Sequence, residues 1–314
     1  MATGANYDIK LITKAARLYY FENLNQNEIA EKLNISRSKV SRCLTRARDK
    51  KIVEIKINSP DEKFEELEGA MENKFNLKNC VVVPSSESFK ETCRNISVVL
   101  SKMLDRLLKN GDYLGVGWGM TLKTVSSLIE PSRKININIV PLIGGMGKSG
   151  IEVHTNSVAS TLAEKYGGRS YAIHSPAVLD SEQARIILEK DSNITEIFNM
   201  TDRIDTAIVG MSDIGRDSTM IKSGNFSVED FKNLQSLGVE GDVNLIFIDR
   251  KGNPVESEID KRILKASPGK LKNIKNVIGL AFGSKKIEVI KAALKGKIIS
   301  SLITDENTAR SIVR

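Results

Sequence analysis

Three stretches carry residues whose types and spacing could do chemistry. In GVGWGMT (115–121), Gly115, Gly117 and Gly119 alternate at the end of an apolar run, and Met120 and Thr121 follow. A helix that starts behind such glycines offers free N–H groups and a positive end, which suit one phosphate. The Thr121 hydroxyl is both a good cap and a phosphate donor. In FGSKK (282–286), Ser284, Lys285 and Lys286 open another helix and can pair with a phosphate. In SRSKVSRCLTRAR (36–48), Ser36, Arg37, Ser38, Lys39, Ser41, Arg42, Thr45 and Arg46 share one helical face, with no acidic residue before Asp49. Such a face sends short side chains to base edges and Arg and Lys to backbone phosphates. Each stretch also has a plain reading: a packing turn, two surface lysines, a solvated helix.

The glycines do not make a nucleotide fingerprint. Counted from Gly115, the third glycine comes one place early; counted from Gly117, it is missing. GGMGKS at 144–149 resembles a phosphate loop, but its first glycine would have to be Leu142.

The basic face needs a helix to carry it, and the sequence supplies a pair. Ile9, Ile12, Ala16 and Tyr19/Tyr20 at helical spacing predict a first helix over 8–22. Asn25 is a good N-cap with Glu28 three residues on, and Ile29, Ala30 and Leu33 give a short second helix. Asn34 and Ile35 make a turn. Ser36 caps a third helix that turns Val40, Cys43, Leu44 and Ala47 inward. Two short helices with a tight turn between them form a helix-turn-helix. IVEIKIN (52–58) reads as a wing strand or as a strand into the next domain.

Charge follows this division. The net charge is +8, and residues 1–58 hold 12 Lys/Arg against 6 Asp/Glu. A basic end on a near-neutral body is the footprint of nucleic-acid binding. Cys43, Cys80 and Cys93 are odd in number and lack metal spacing, which fits a reducing cytoplasm and no disulfide framework. With only His154 and His174, a His/Cys zinc site is not expected, nor is any cofactor. No apolar stretch is long enough to span a membrane, and MATGANYDIK lacks a signal-peptide core.

NSPDEK (58–63) marks a boundary, giving domains 1–58 and 59–314. Beyond it, apolar strand runs alternate with helices: strands at 80–84, 113–118, 137–143, 170–173, 205–211, 243–248, 277–283 and 301–304, helices at 64–75, 89–109, 121–129, 152–166, 181–200, 285–295 and 305–313. That pattern predicts an α/β domain with a mainly parallel sheet. Ligands of such sheets bind beyond the carboxyl ends of the strands, which here carry GWGMT, IGGMGKSG, GMSDIG, FGSKK and TDENTA, with GDV (241–243) at a strand start.

The ordered set RLYYFENLNQNEIAEKLNISRSKVSR, GDYLGVGWGMT, IVPLIGG, HTNSVASTLAEKYGG, GDVNLIFIDRKG, AFGSKK and LITDENTA resembles the SorC-type sugar-binding transcriptional regulators, often grouped with deoxyribonucleoside regulators. The resemblance implies an effector domain similar to ribose-5-phosphate isomerase and glucosamine-6-phosphate deaminase. It also implies a tetramer whose hold on DNA changes with a phosphorylated sugar or polyol. It assigns the phosphate to Gly119, Met120, Thr121, Lys285 and Lys286 and puts the sugar hydroxyls near His154, Asn156 and Asp242, with Gly117, Gly144 and Gly145 also in the effector site. Some relatives carry, before the glycine pair, a basic residue that contacts or covalently captures the effector. Ile143 stands there in this chain and cannot form a Schiff base, so a non-covalent monophosphate is expected, with Lys148 able to substitute.

Two other classes compete. An isomerase or deaminase fused to a DNA-binding head would need a positioned base, for which Asp213, Asp242 and His154 are the candidates. A body that only oligomerises would leave the strand-end glycines unexplained. The reading adopted is a cytoplasmic, non-enzymatic regulator.

Overall fold

The computed structural model describes residues 3–54, 64–145, 155–215, 218–222 and 224–314, with backbone alone at 3–7, 219 and 222. The chain divides into two compact units, Met1–Glu62 and Lys63–Arg314.

In the first unit, α1 (Thr3–Tyr20), α2 (Gln26–Leu33) and α3 (Arg37–Asp49) close on a core of Ile12, Ala15, Ala16, Leu18, Ile29, Val40, Cys43, Leu44 and Ala47. The buried stripe of α1 is thus Ile12, Ala15, Ala16 and Leu18, whereas Ile9 and Tyr19, expected inside, are exposed. The Asn25 carboxamide accepts from the Asn27 and Glu28 amides, and Glu28 reaches back to the Asn25 N–H, so both sides of the capping box are present. Asn34 ends α2 at φ 52°, a left-handed position that asparagine tolerates. Ser36 then caps α3 by accepting from Lys39 N–H. The expected strand at 52–58 is not seen over 52–54, which bend after the helix; residues 55–58 lie outside the described residues.

The second unit begins with α4 (Glu65–Phe75), β1 (Asn79–Val83), α5 (Phe89–Leu107), β2 (Tyr113–Val116), α6 (Met120–Leu128), β3 (Asn138–Pro141), α7 (Thr155–Tyr166) and β4 (Arg169–Ser170). It continues with α8 (Glu182–Glu189), α9 (Ser192–Met200), β5 (Ile204–Asp213), α10 (Thr219–Lys222), α11 (Val228–Ser236), β6 (Val239–Val243) and β7 (Ile246–Asp249). It closes with α12 (Pro268–Asn273), β8 (Asn276–Leu280), α13 (Ile287–Lys295), β9 (Ser301–Asp305) and α14 (Glu306–Val313).

Seven strands run parallel in the order β1-β9-β8-β5-β2-β3-β4. Helices cover both faces, which is why the strands are unbroken apolar runs. α5, α6 and α7 bury Ile96, Leu100, Leu122, Val125 and Leu162 on one face. α4, α12, α13 and α14 bury Met71, Leu271, Val289, Ile290 and Ile312 on the other. Edge strand β1 is not left open: its Cys80 and Val82 amides donate to Glu72 and Glu68 of α4 at 2.7 and 2.8 Å.

Strand order reverses between β2 and β5. From β2 the chain steps outward to β3 and β4; from β5 it steps the other way to β8 and β9. The crevice at the carboxyl ends of these two neighbours is therefore the expected ligand position.

Two expected elements are corrected. VNLIFI (243–248) is not one strand: it turns at Asn244 and Leu245, at φ 53° and 61°, into an antiparallel hairpin of β6 and β7. Left-handed backbone at both central residues is what a tight hairpin turn requires. GDV consequently ends a strand instead of starting one. The predicted helix 181–200 breaks where Asp191 caps α9. The hairpin builds a third core beyond the sheet edge from Trp118, Ile143, Phe226, Phe231, Leu245 and Phe247, among others.

Candidate functional site

Two helix starts meet this edge, and both are built alike. Gly119, at φ 122°, precedes α6, whose N-terminus no side chain caps. Gly283, at φ 97°, precedes the turn Ser284–Lys286 that runs into α13, again without a side-chain cap. A Cβ at either glycine would meet nothing within 4 Å, so open space lies before the free amides and backbone conformation alone demands glycine. α6 and α13 pack on opposite faces of the sheet, so amides approach the edge from both sides. The Gly283 loop is pinned from below, its N–H donating to Thr308 Oγ1 at 2.8 Å. Thr121 is buried, and its hydroxyl makes no hydrogen bond among the described residues. Met120 is exposed.

Between these starts lies a charged cluster. Asp242 is buried; its Oδ2 accepts from Leu245 N–H at 2.7 Å, while Oδ1 is buried without a partner. Burial pushes the Asp242 carboxyl up to about 7, against the Leu245 hydrogen bond and the nearby Lys265 and Lys286 charges. Lys286 is partly buried and makes no hydrogen bond or salt bridge among the described residues. Burial lowers its pKa, and Asp213 and Asp242 work against that shift. Lys265 differs, since its ammonium is held by Leu245 O and Asp260. Of the two lysines beside Asp242, Lys286 alone has its donors to give.

Two glycines of the wall are there because other groups press on them. A Cβ on Gly117 would lie 2.6 Å from Asn244 Oδ1, and one on Gly210 would lie 2.9 Å from Trp118 O.

The remaining sequence candidates fall elsewhere or are already engaged. Gly144 and Gly145 dock against the 175–177 segment: a Gly144 Cβ would be 2.8 Å from Pro176 O, and their amides donate to Leu264 O and Ser175 O. They shape a wall and have no amide left for a ligand. Asn156 clamps Ile173, donating to its O and accepting from its N–H at 3.0 and 3.2 Å. Each end of the carboxamide thus holds the chain, with one N–H and one lone pair left over. His154 and Lys148 lie outside the described residues. Lys285 is exposed. Asn244 carries no sequence signal of its place, because Asn-Leu lacks the glycine that marks a tight hairpin. Among the described residues no cluster of His, Cys, Asp or Glu could hold a metal ion.

On α3, Arg37, Ser38, Lys39, Ser41, Arg42, Thr45, Arg46 and Arg48 are all exposed. Ser36 and Ser38 share a hydrogen bond at 3.0 Å, and Arg46 pairs with Asp8 of α1 at 3.0 Å. Exposed pairs of this kind contribute little, so Arg46 can exchange Asp8 for a phosphate. No helix among the described residues is long and apolar enough to cross a membrane.

Comparison with known proteins matches both units. Residues 60–314 match Sugar-bind, the sugar-binding domain family, and residues 17–50 match sigma-70 region 4. The sorbitol operon regulator of Klebsiella pneumoniae is 31% identical, over 98% of each chain. The deoxyribonucleoside regulator of Bacillus subtilis is 30% identical, over 97% of each. The crystal structure of full-length SorC from Klebsiella pneumoniae aligns with a TM-score of 0.75, covering 98% of this chain and 99% of that one, at 31% identity. The chain belongs to the SorC-type family of sugar-binding transcriptional regulators.

Proposed function

We propose that this regulator binds double-stranded operator DNA through α3 and that a phosphorylated sugar or polyol, held at the carboxyl ends of β2, β5 and β8, sets the strength of that binding. The observation that carries the reading is the meeting of two uncapped helix starts, behind Gly119 and Gly283, with the Lys286 ammonium, which makes no hydrogen bond among the described residues. Free amides and one ammonium in a partly buried crevice complement a single phosphate dianion. Gly119, Met120, Thr121, Lys285 and Lys286 are its proposed ligands, and Asp242 takes a hydroxyl.

The matching sugar-binding family and the names of the sorbitol and deoxyribonucleoside regulators support a carbohydrate-derived ligand. The protein works as a homo-oligomer, dimer or tetramer, because paired recognition helices read paired half-sites. The ligand acts by linkage: bound more tightly to one quaternary arrangement, it shifts the population that fits the operator.

Thermal-shift screening against sugar and polyol phosphates tests the ligand, and gel shift with the best binder tests the linkage. One observation favours a second reading as an enzyme: a carboxyl raised to about 7 beside a lysine is a pattern that general bases share. Incubation with the same phosphates, followed by NMR, separates the two: binding without turnover supports the regulator, and turnover the enzyme.

A further inference from the structure

The phosphate cradle leaves the hairpin turn unexplained. Asn244 is buried, its Oδ1 has no hydrogen-bond partner, and that atom lies against the Cα of Gly117 on the loop that leads to Gly119. Asp242, two residues back on β6, leaves a second buried oxygen unpartnered. A buried acceptor without a partner costs free energy that a folded chain does not usually leave standing.

Turn chemistry accounts for the residue type at 244, since asparagine adopts left-handed backbone readily. It does not account for the placement. Glycine would fill this position as well and leave nothing unsatisfied. Leu245 beside it, left-handed at φ 61° and fully buried, shows that the turn is not built from favoured residues alone. The carboxamide therefore stands here at a cost, which a donor from a bound molecule would relieve.

We propose that Asn244 is a specificity residue that, with Asp242, reads hydroxyl donors on the ligand next to its phosphate, so that the crevice selects a polyhydroxy phosphate over phosphate alone. This rests on the phosphate cradle described above. Asn244 Oδ1 is an acceptor, and Asp242 Oδ1 is one in the ionised carboxylate, so the ligand brings a donor to each. Hydroxyls do this; a carboxylate at the same place would set acceptor against acceptor.

The test uses Asn244→Gly in the full chain, a change that keeps the left-handed turn and removes only the carboxamide. Trp118, the one tryptophan in the sequence, stands between Gly117 and Gly119 and reports the loop by its fluorescence. Wild type and variant are titrated with glucitol 6-phosphate, ribose 5-phosphate, glycerol 3-phosphate and inorganic phosphate, with calorimetry as a second readout. The expected result is a loss of about tenfold for the best polyhydroxy phosphate, with inorganic phosphate binding within a factor of about two and a melting temperature level or raised, because the unpartnered oxygen is gone. Equal losses for inorganic phosphate and the polyhydroxy ligand mean a purely structural residue and overturn the proposal, as does no loss for either. Wild type that binds none of the four probes overturns the phosphate cradle, and this inference with it.

Discussion

The face of α3 and the crevice at the sheet edge are built on opposite electrostatic terms. On α3, Arg37, Lys39, Arg42, Arg46 and Arg48 stand in water, and their charge costs the fold almost nothing. In the crevice, Asp242 and Asn244 are buried with unpartnered oxygens, and Lys286 is partly buried with no hydrogen bond among the described residues. The first surface attracts a polyanion from a distance and is weakened by salt. The second is desolvated in advance, which suits the proposed ligand that would complete it. Their separate disturbance gives a graded set of outcomes.

The largest effect belongs to the exposed face. Lys39→Ala with Arg42→Ala should weaken operator binding by about a hundredfold and lower the salt slope by about two, measured by gel shift over a salt series. Both side chains are exposed, so the melting temperature should not move. Undiminished DNA binding would remove α3 from the account.

Next comes the Lys286 ammonium. Lys286→Met should cost the phosphate ligand roughly tenfold to a hundredfold in affinity by calorimetry, because a charge-assisted contact is lost. Like a loss on α3, this one should leave stability nearly level, since the desolvation it relieves offsets the lost attraction to Asp213 and Asp242.

Asp242 gives a pH signature that no group on α3 shares. Its carboxyl rises from 3.8 to about 7 on folding, so folding favours the protonated form. The associated stability is fully present below the ordinary carboxylate value and is lost as pH rises through about 7. Thermal melts should show the free protein losing of order a few kcal/mol between pH 5 and pH 8, and Asp242→Asn nearly level over that window. Equal slopes would mean that the carboxyl is not desolvated.

The smallest effect is a suppressor pair. Gly117→Ala sets a methyl 2.6 Å from Asn244 Oδ1 and should cost about 1–2 kcal/mol. Adding Asn244→Gly should restore most of it. Failure to restore would show that the two residues do not touch.

The same contrast decides what could be read from the sequence. Caps and charged faces are local, so Asn25, Glu28, Ser36 and the α3 face were legible from residue type and spacing. The alternating apolar runs foretold the parallel sheet, and the strand-end glycines marked the two uncapped helix starts. The crevice was only half legible, because burial depends on what packs against a residue. The sequence marks Gly144 and Asn156, but not that Pro176 and Ile173 press against them. Asn244 looks like part of a strand until the hairpin turns there. Glycine announces close approach but not the partner, and that partner comes from distant parts of the chain.

The central claim is that these two unlike surfaces are coupled. The direct measurement is operator affinity at fixed salt, with and without a saturating concentration of the best-binding polyhydroxy phosphate, in wild type and in Lys286→Met. A change of about fivefold or more in wild type, absent in Lys286→Met at the same ligand concentration, is the predicted result. Identical DNA affinity with and without a ligand that demonstrably occupies the crevice would contradict it.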